Sequence, residues 1–153
     1  MQFGAAGTIE GWVYANGVGT LVSNFVSDAG TNSGVELGLS SANQQLEIFY
    51  GTGSGSPFSY ADAQAPGQTQ WHHVATTFSS SGVALYIDGM SASPSAQPAS
   101  PVNSGAAIVL GGAPDGGNLF SGLFDEVAIY NRALGSQEIR DIVDAGANGR
   151  CKR

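Results

Sequence analysis

The sequence predicts an all-β fold, an antiparallel β-sandwich or jelly roll, with one short C-terminal helix. Three observations predict it. Short β-type runs recur roughly every 10–15 residues between clusters of turn residues. Gly (23), Ala (20) and Ser (18) supply 61 of the 153 residues, whereas Leu, Ile, Val and Phe supply only 34. That is enough apolar material for small, well-spaced strands, and too little for long buried helices. Apolar residues at helical spacing occur once, near the end of the chain. The length suits a single domain spanning residues 1–153.

The elements follow in order. Ile9–Tyr14 (IEGWVY) alternates and ends at Ala-Asn-Gly, and Thr20–Val26 (TLVSNFV) follows it. Ser27–Gly34 is rich in turn residues. Val35–Leu39 and Gln45–Tyr50 are short β-type runs, and Gly51–Gly55 (GTGSG) is a loop. Trp71–Phe78 (WHHVATTF) and Val83–Asp88 (VALYID) form a hairpin, and Asp88-Gly89 marks the tight turn after it. Three prolines within Ser91–Pro101 predict a loop or a ragged edge. Ala107–Leu110 and Leu123–Tyr130 are the last strands. The helix spans Ser136–Ala145, because Ile139, Ile142 and Val143 form one stripe. Gly135 is its N-cap, Glu138 sits where a capping-box acid reaches back, and Gly146 closes it.

Charge excludes several functions. Residues 1–131 hold nine acids and no Lys or Arg, and all five cations fall in the last 22 residues. Such a body cannot neutralise a phosphate backbone, so nucleic acid is excluded as a partner. No apolar run approaches the ~20 residues of a membrane helix, which excludes membrane insertion by one. Cys151 is the one cysteine, so no internal disulfide forms, and any disulfide partner lies in a longer parent chain.

Three stretches carry a family pattern. They are Thr8–Tyr14 (TIEGWVY), then Trp71–Ala75 (WHHVA) with Leu85–Gly89 (LYIDG), then Phe120–Leu134 (FSGLFDEVAIYNRAL) followed by the helix with Glu138-Ile139. In order and spacing they resemble laminin-G-like jelly-roll domains of the concanavalin-A-like lectin/glucanase class. The resemblance spans residues 8–145. It implies a recognition module, secreted or on the cell surface as part of a larger protein. The family's first strand, which pairs beside the closing strand, is not matched here. That predicts excision from a larger protein, an open edge on Leu123–Tyr130, and self-association through that edge.

His72 and His73 are neighbours on a strand and face opposite ways, so they cannot grip one metal ion together. One is expected inside the sandwich and the other at the surface. Glycoside hydrolases with this sandwich carry paired carboxylates on one strand. Here Glu36 and Glu47 stand singly on their strands, and Asp125 and Glu126 are neighbours expected to face apart. The chain therefore reads as no enzyme, with a glycoside hydrolase kept as a distant alternative.

The resemblance implies Ca²⁺ at an acid of the closing strand, which places Asp125 as a metal ligand. Asp115, with Asn118 in Gly111–Asn118 (GGAPDGGN), offers a second oxygen cluster. Sugar binding needs aromatic platforms beside amides or carboxylates. The residues expected to be exposed for it are Phe49, Tyr50, Phe58 and Tyr60, with Gln44 nearby. The function expected is non-catalytic recognition of a glycan or an extracellular protein surface. The alternative is a structural or adhesion spacer without a ligand of its own.

Overall fold

The computed structural model describes residues 3–40, 44–55, 58–92 and 100–146. Its elements are β1 (Gly7–Ala15), β2 (Gly19–Ser23), β3 (Val26–Asp28), β4 (Thr31–Ser33), β5 (Val35–Ser40), β6 (Gln45–Tyr50), β7 (Phe58–Gln64), β8 (Trp71–Ser79), β9 (Gly82–Ile87), β10 (Met90–Ser91), β11 (Val109–Leu110), β12 (Gly122–Tyr130) and α1 (Ser136–Ala145). Two five-stranded antiparallel sheets stack as a sandwich. One runs β10-β9-β8-β1-β12 and the other β11-β2-β5-β6-β7. β3 and β4 form a separate hairpin.

Alternation along the strands builds the core. Ile9 and Val13 of β1, Leu37 and Leu39 of β5, Leu46 and Ile48 of β6, and Val74 and Phe78 of β8 are buried between the sheets. Outside the first sheet, Ile139 of α1 and Leu134 pack on Ala75 and Tyr86. Burying Ile139 completely contributes about 2 kcal/mol. The helix keeps the span and caps read from the sequence. Glu138 accepts the Gly135 N–H at 2.9 Å and takes both guanidinium nitrogens of Arg132 at 2.6 and 2.8 Å. Thr8 ties β1 to the approach to this helix. Its hydroxyl donates to the Arg132 carbonyl and accepts the Leu134 N–H, both at 2.9 Å.

Three strand expectations change. Thr20–Val26 does not run through, because β2 stops at Ser23 and β3 belongs to another hairpin. Asn24 causes the break: it is buried, and its side-chain oxygen accepts the Val35 N–H at 2.9 Å. Gly34, at φ +87°, lies so close to the Asn24 carbonyl that no side chain fits there. Ala107–Leu110 shortens to β11. β7 is an additional strand on the edge of the second sheet. Most of the proline-rich loop, residues 93–99, lies outside the described residues.

β12 pairs with β1 and ends its sheet, so among the described residues its other edge is open, as expected. A β-bulge interrupts it between the Trp12 and Glu10 pairings, with Glu126 at φ +51°. The bulge breaks the alternation. Asp125 and Glu126 are therefore both exposed rather than divided between opposite faces.

Candidate functional site: a groove on the second sheet

The outer face of the second sheet carries a groove of about 750 Å³. Strand parity supplies its floor. On β6, Leu46, Ile48 and Tyr50 turn into the core, which leaves Glu47 and Phe49 outward and half-buried. On β5, Val35, Leu37 and Leu39 turn inward and leave Glu36 outward. The register pairs Glu36 with Phe49 and Gly38 with Glu47. Glu36 and Glu47 are thus diagonal neighbours on one face, a relation with a typical Cα spacing of about 7–8 Å. Thr20 of β2 donates its hydroxyl to Glu36 Oε1 at 3.0 Å and fixes that carboxylate.

Two segments form the walls. Phe25 to Ser27 rise on one side and Ala113 to Asn118 on the other. The second wall is held by its own bonds: Asp115 Oδ1 accepts the Gly117 N–H at 2.8 Å, and the Asn118 carbonyl accepts the Thr20 N–H at 2.8 Å. The groove therefore combines two half-buried aromatic rings, Phe25 and Phe49, with the carboxylates of Glu36, Glu47 and Asp115. With no Lys or Arg before Arg132, its potential is negative.

The residues expected at the site separate. Phe49 lies in the groove. Tyr50 does not: it is 1% exposed, packs in the core, and burial raises its phenol pKa. Neighbours on a strand take opposite faces, so Phe49 and Tyr50 cannot both face outward. Gln44 is exposed on the turn before β6, at φ +51°, outside the groove. Phe58 and Tyr60 belong to β7, paired with Tyr50 and Ile48, and their side chains lie outside the described residues. Phe25 and the Glu36/Glu47 pair were not anticipated. Outward parity on two consecutive β-type runs was the signal that could have found the pair.

The metal ligands do not converge. Asp125 is exposed on β12, while Asp115 caps its own loop in the wall of the groove. Among the described residues, no three His, Cys, Asp or Glu side chains gather in a way that could hold a metal ion. Ca²⁺ needs six to eight oxygens, and among the described residues side chains alone do not gather to supply them. Asn32 is buried, and its amide donates to the Gly55 carbonyl at 2.8 Å, a structural bond.

The two histidines face opposite ways, but not as expected: the buried ring is on the helix side of the first sheet with Ala75, and His72 is on the face that carries Val74 into the core. His73 is fully buried with its Nε2 2.9 Å from Glu10 Oε2. His72 is partly buried, with Nδ1 2.8 Å from Asp88 Oδ2. Asp88 also accepts the His73 N–H at 3.0 Å, so it joins the tight turn to β8.

Comparison with known proteins agrees with this architecture. Domain 4 of AbnA, a GH43 extracellular arabinanase from Geobacillus stearothermophilus, solved with arabinotriose, superposes with a TM-score of 0.70 at 21% identity. The match covers 91% of this chain and 66% of that one. The CBM40 of the Ruminococcus gnavus IT-sialidase, bound to α2,3-sialyllactose, gives a TM-score of 0.72 at 14% identity, covering 92% of this chain and 84% of that one. A carbohydrate-binding protein of Bacteroides ovatus, described as putative, gives 0.70 at 17%, covering 94% and 42%. The chain spans 24% of the Trypanosoma rangeli sialidase structures it matches. At these identities the likeness shows the fold. No curated protein sequence matches the chain. A family model described as the concanavalin A-like lectin/glucanases superfamily matches residues 1–140. The chain belongs to the concanavalin A-like lectin/glucanase superfamily.

Proposed function

We propose that this domain is a non-catalytic recognition module that binds carbohydrate in the groove of the second sheet, within a larger secreted protein. One observation carries the reading: Phe49 and Phe25 share a groove with Glu36 and Glu47. A ring offers its face to the apolar side of a pyranose, and carboxylates accept hydroxyl hydrogens. The superfamily, and the arabinotriose and sialyllactose held by two of its structural relatives, support a glycan as the ligand. Three carboxylates disfavour an anionic sugar, so neutral glycans are preferred over sialyllactose.

A titration of the domain with neutral oligosaccharides and sialyllactose, followed by NMR, tests this. Shifts confined to the amides of Thr20, Glu36, Glu47 and Phe49 support it. Binding only to an extracellular protein, or to no glycan of the panel, favours the protein-binding or spacer reading instead. The same titration includes product analysis, because Glu36 and Glu47 are diagonal neighbours on one face. Turnover lost on Glu47→Gln would replace a binding module with a hydrolase.

A further inference from the structure

A second hollow, of about 480 Å³, adjoins the groove; Val18, Leu39 and Ser40 line both. Its chemistry differs. Three amides, Gln44, Gln64 and Gln68, line it, and no acidic or basic side chain does so among the described residues. All three amides are exposed. The segments that carry them are pinned by backbone bonds: the Gln44 carbonyl accepts the Ala65 N–H at 2.7 Å, and the Ala15 carbonyl accepts the Thr69 N–H at 2.9 Å. The amides therefore stand on a fixed frame. Ala15, Gly17 and Gly67 also line the hollow.

A glutamine amide offers donors and an acceptor together, as a sugar hydroxyl does. An uncharged lining is also cheaper to desolvate than a row of carboxylates. We infer that this hollow is a second subsite, which receives neutral sugar units of an oligosaccharide whose other end lies in the groove. The inference rests on the carbohydrate reading of the groove. Each compartment alone falls in the ~300–1,000 Å³ range of a small-ligand site, so a ligand filling both is an oligomer.

The test is an NMR titration of the ¹⁵N-labelled domain with arabino- and cello-oligosaccharides of increasing length. Disaccharides should shift groove amides alone. Longer members should also shift Gly17, Gln64 and Gln68, and bind about tenfold more tightly. Gln68→Ala and Gln64→Ala should remove that gain and leave the disaccharide affinity unchanged. Both are exposed substitutions, and an unaltered spectrum elsewhere shows that the variants fold. If longer oligosaccharides bind the groove with no gain and no shift at these amides, the inference is overturned while the groove reading stands. If neither series shifts the groove, both are overturned.

Discussion

Glu10 and His73 meet at 2.9 Å on neighbouring strands of the first sheet, and neither side chain has any exposure to solvent. The Trp12 ring stands edge-on to the imidazole with centroids 5.5 Å apart, and the Tyr130 hydroxyl points to the other Glu10 oxygen at 3.5 Å. The pair therefore joins β1, β8 and β12 beneath the helix side of the sandwich.

Removing either partner leaves a buried polar group without its match. Glu10→Ala and His73→Ala should each cost about 3–5 kcal/mol. The double variant should cost clearly less than their sum, because it removes both polar groups. Urea denaturation of the three variants measures this. Strict additivity would mean that the two residues act separately.

The groove makes a sharper distinction between neighbours. Phe49→Ala should weaken binding of a groove ligand about tenfold while the fold persists. Tyr50→Phe should leave that affinity unchanged, since Tyr50 is in the core. Calorimetric titration of both variants with one oligosaccharide decides it. Equal losses would remove Phe49 from the contact surface.

Calcium should have little to act on. Asp125 and Asp115 lie on separate elements, and among the described residues no three His, Cys, Asp or Glu side chains gather to hold a metal ion. The melting temperature should be the same in millimolar Ca²⁺ and in EDTA. A rise in Ca²⁺ that vanishes in Asp125→Asn would show that backbone oxygens complete a site there.

Acid should loosen the helix start first. The Arg132 guanidinium, then the Gly135 N–H, hold the Glu138 carboxyl down from 4.5 to about 2. A carboxyl with a lowered folded-state pKa stabilises the fold above its ordinary titration range. That contribution fades as pH falls from about 4.5 towards about 2. Both partners are exposed, so the effect is local and weakened by salt. A ¹³C titration of the Glu138 carboxyl follows it, and Arg132→Ala should move the midpoint upward. An unmoved midpoint would assign the shift to the Gly135 N–H alone.

The open edge of β12 is guarded. A bulge twists it at Asp125 and Glu126, and both carboxylates stand exposed on it beside Leu123. The domain should sediment as a monomer at micromolar concentration. Replacing both acids, Asp125→Thr with Glu126→Asn, should promote strand pairing between copies, seen as a concentration-dependent dimer. Dimer formation by the unaltered domain, lost when Leu123 becomes Asp, would show that the edge pairs despite its charges.

Much of this architecture was legible because its causes are local. Gly135, Glu138, Gly146 and the stripe of Ile139, Ile142 and Val143 lie within one short stretch, and each reports on the same helix. Alternation likewise marked β1, and short β-type runs marked β5, β6 and β8. The break at Asn24 was not legible, because its partner Val35 is brought there by folding. Alternation along Gln45–Tyr50 requires Phe49 and Tyr50 to part, yet both were expected at the surface. Packing decided that Tyr50 is the one that faces the core.

Sequence alone determined the sandwich, the helix with its caps, and a body free of cations. These follow from composition and from periodicities of two and 3.6 residues, which every short segment carries within itself. Tertiary structure decided the groove and the adjoining amide hollow. The face that Glu47 and Phe49 present depends on which side of β6 meets the opposite sheet. Their meeting with Glu36 depends on the β5–β6 register. The walls come from Phe25 and Asp115, far apart in the chain. Long-range packing supplies those relations, and no local pattern encodes them.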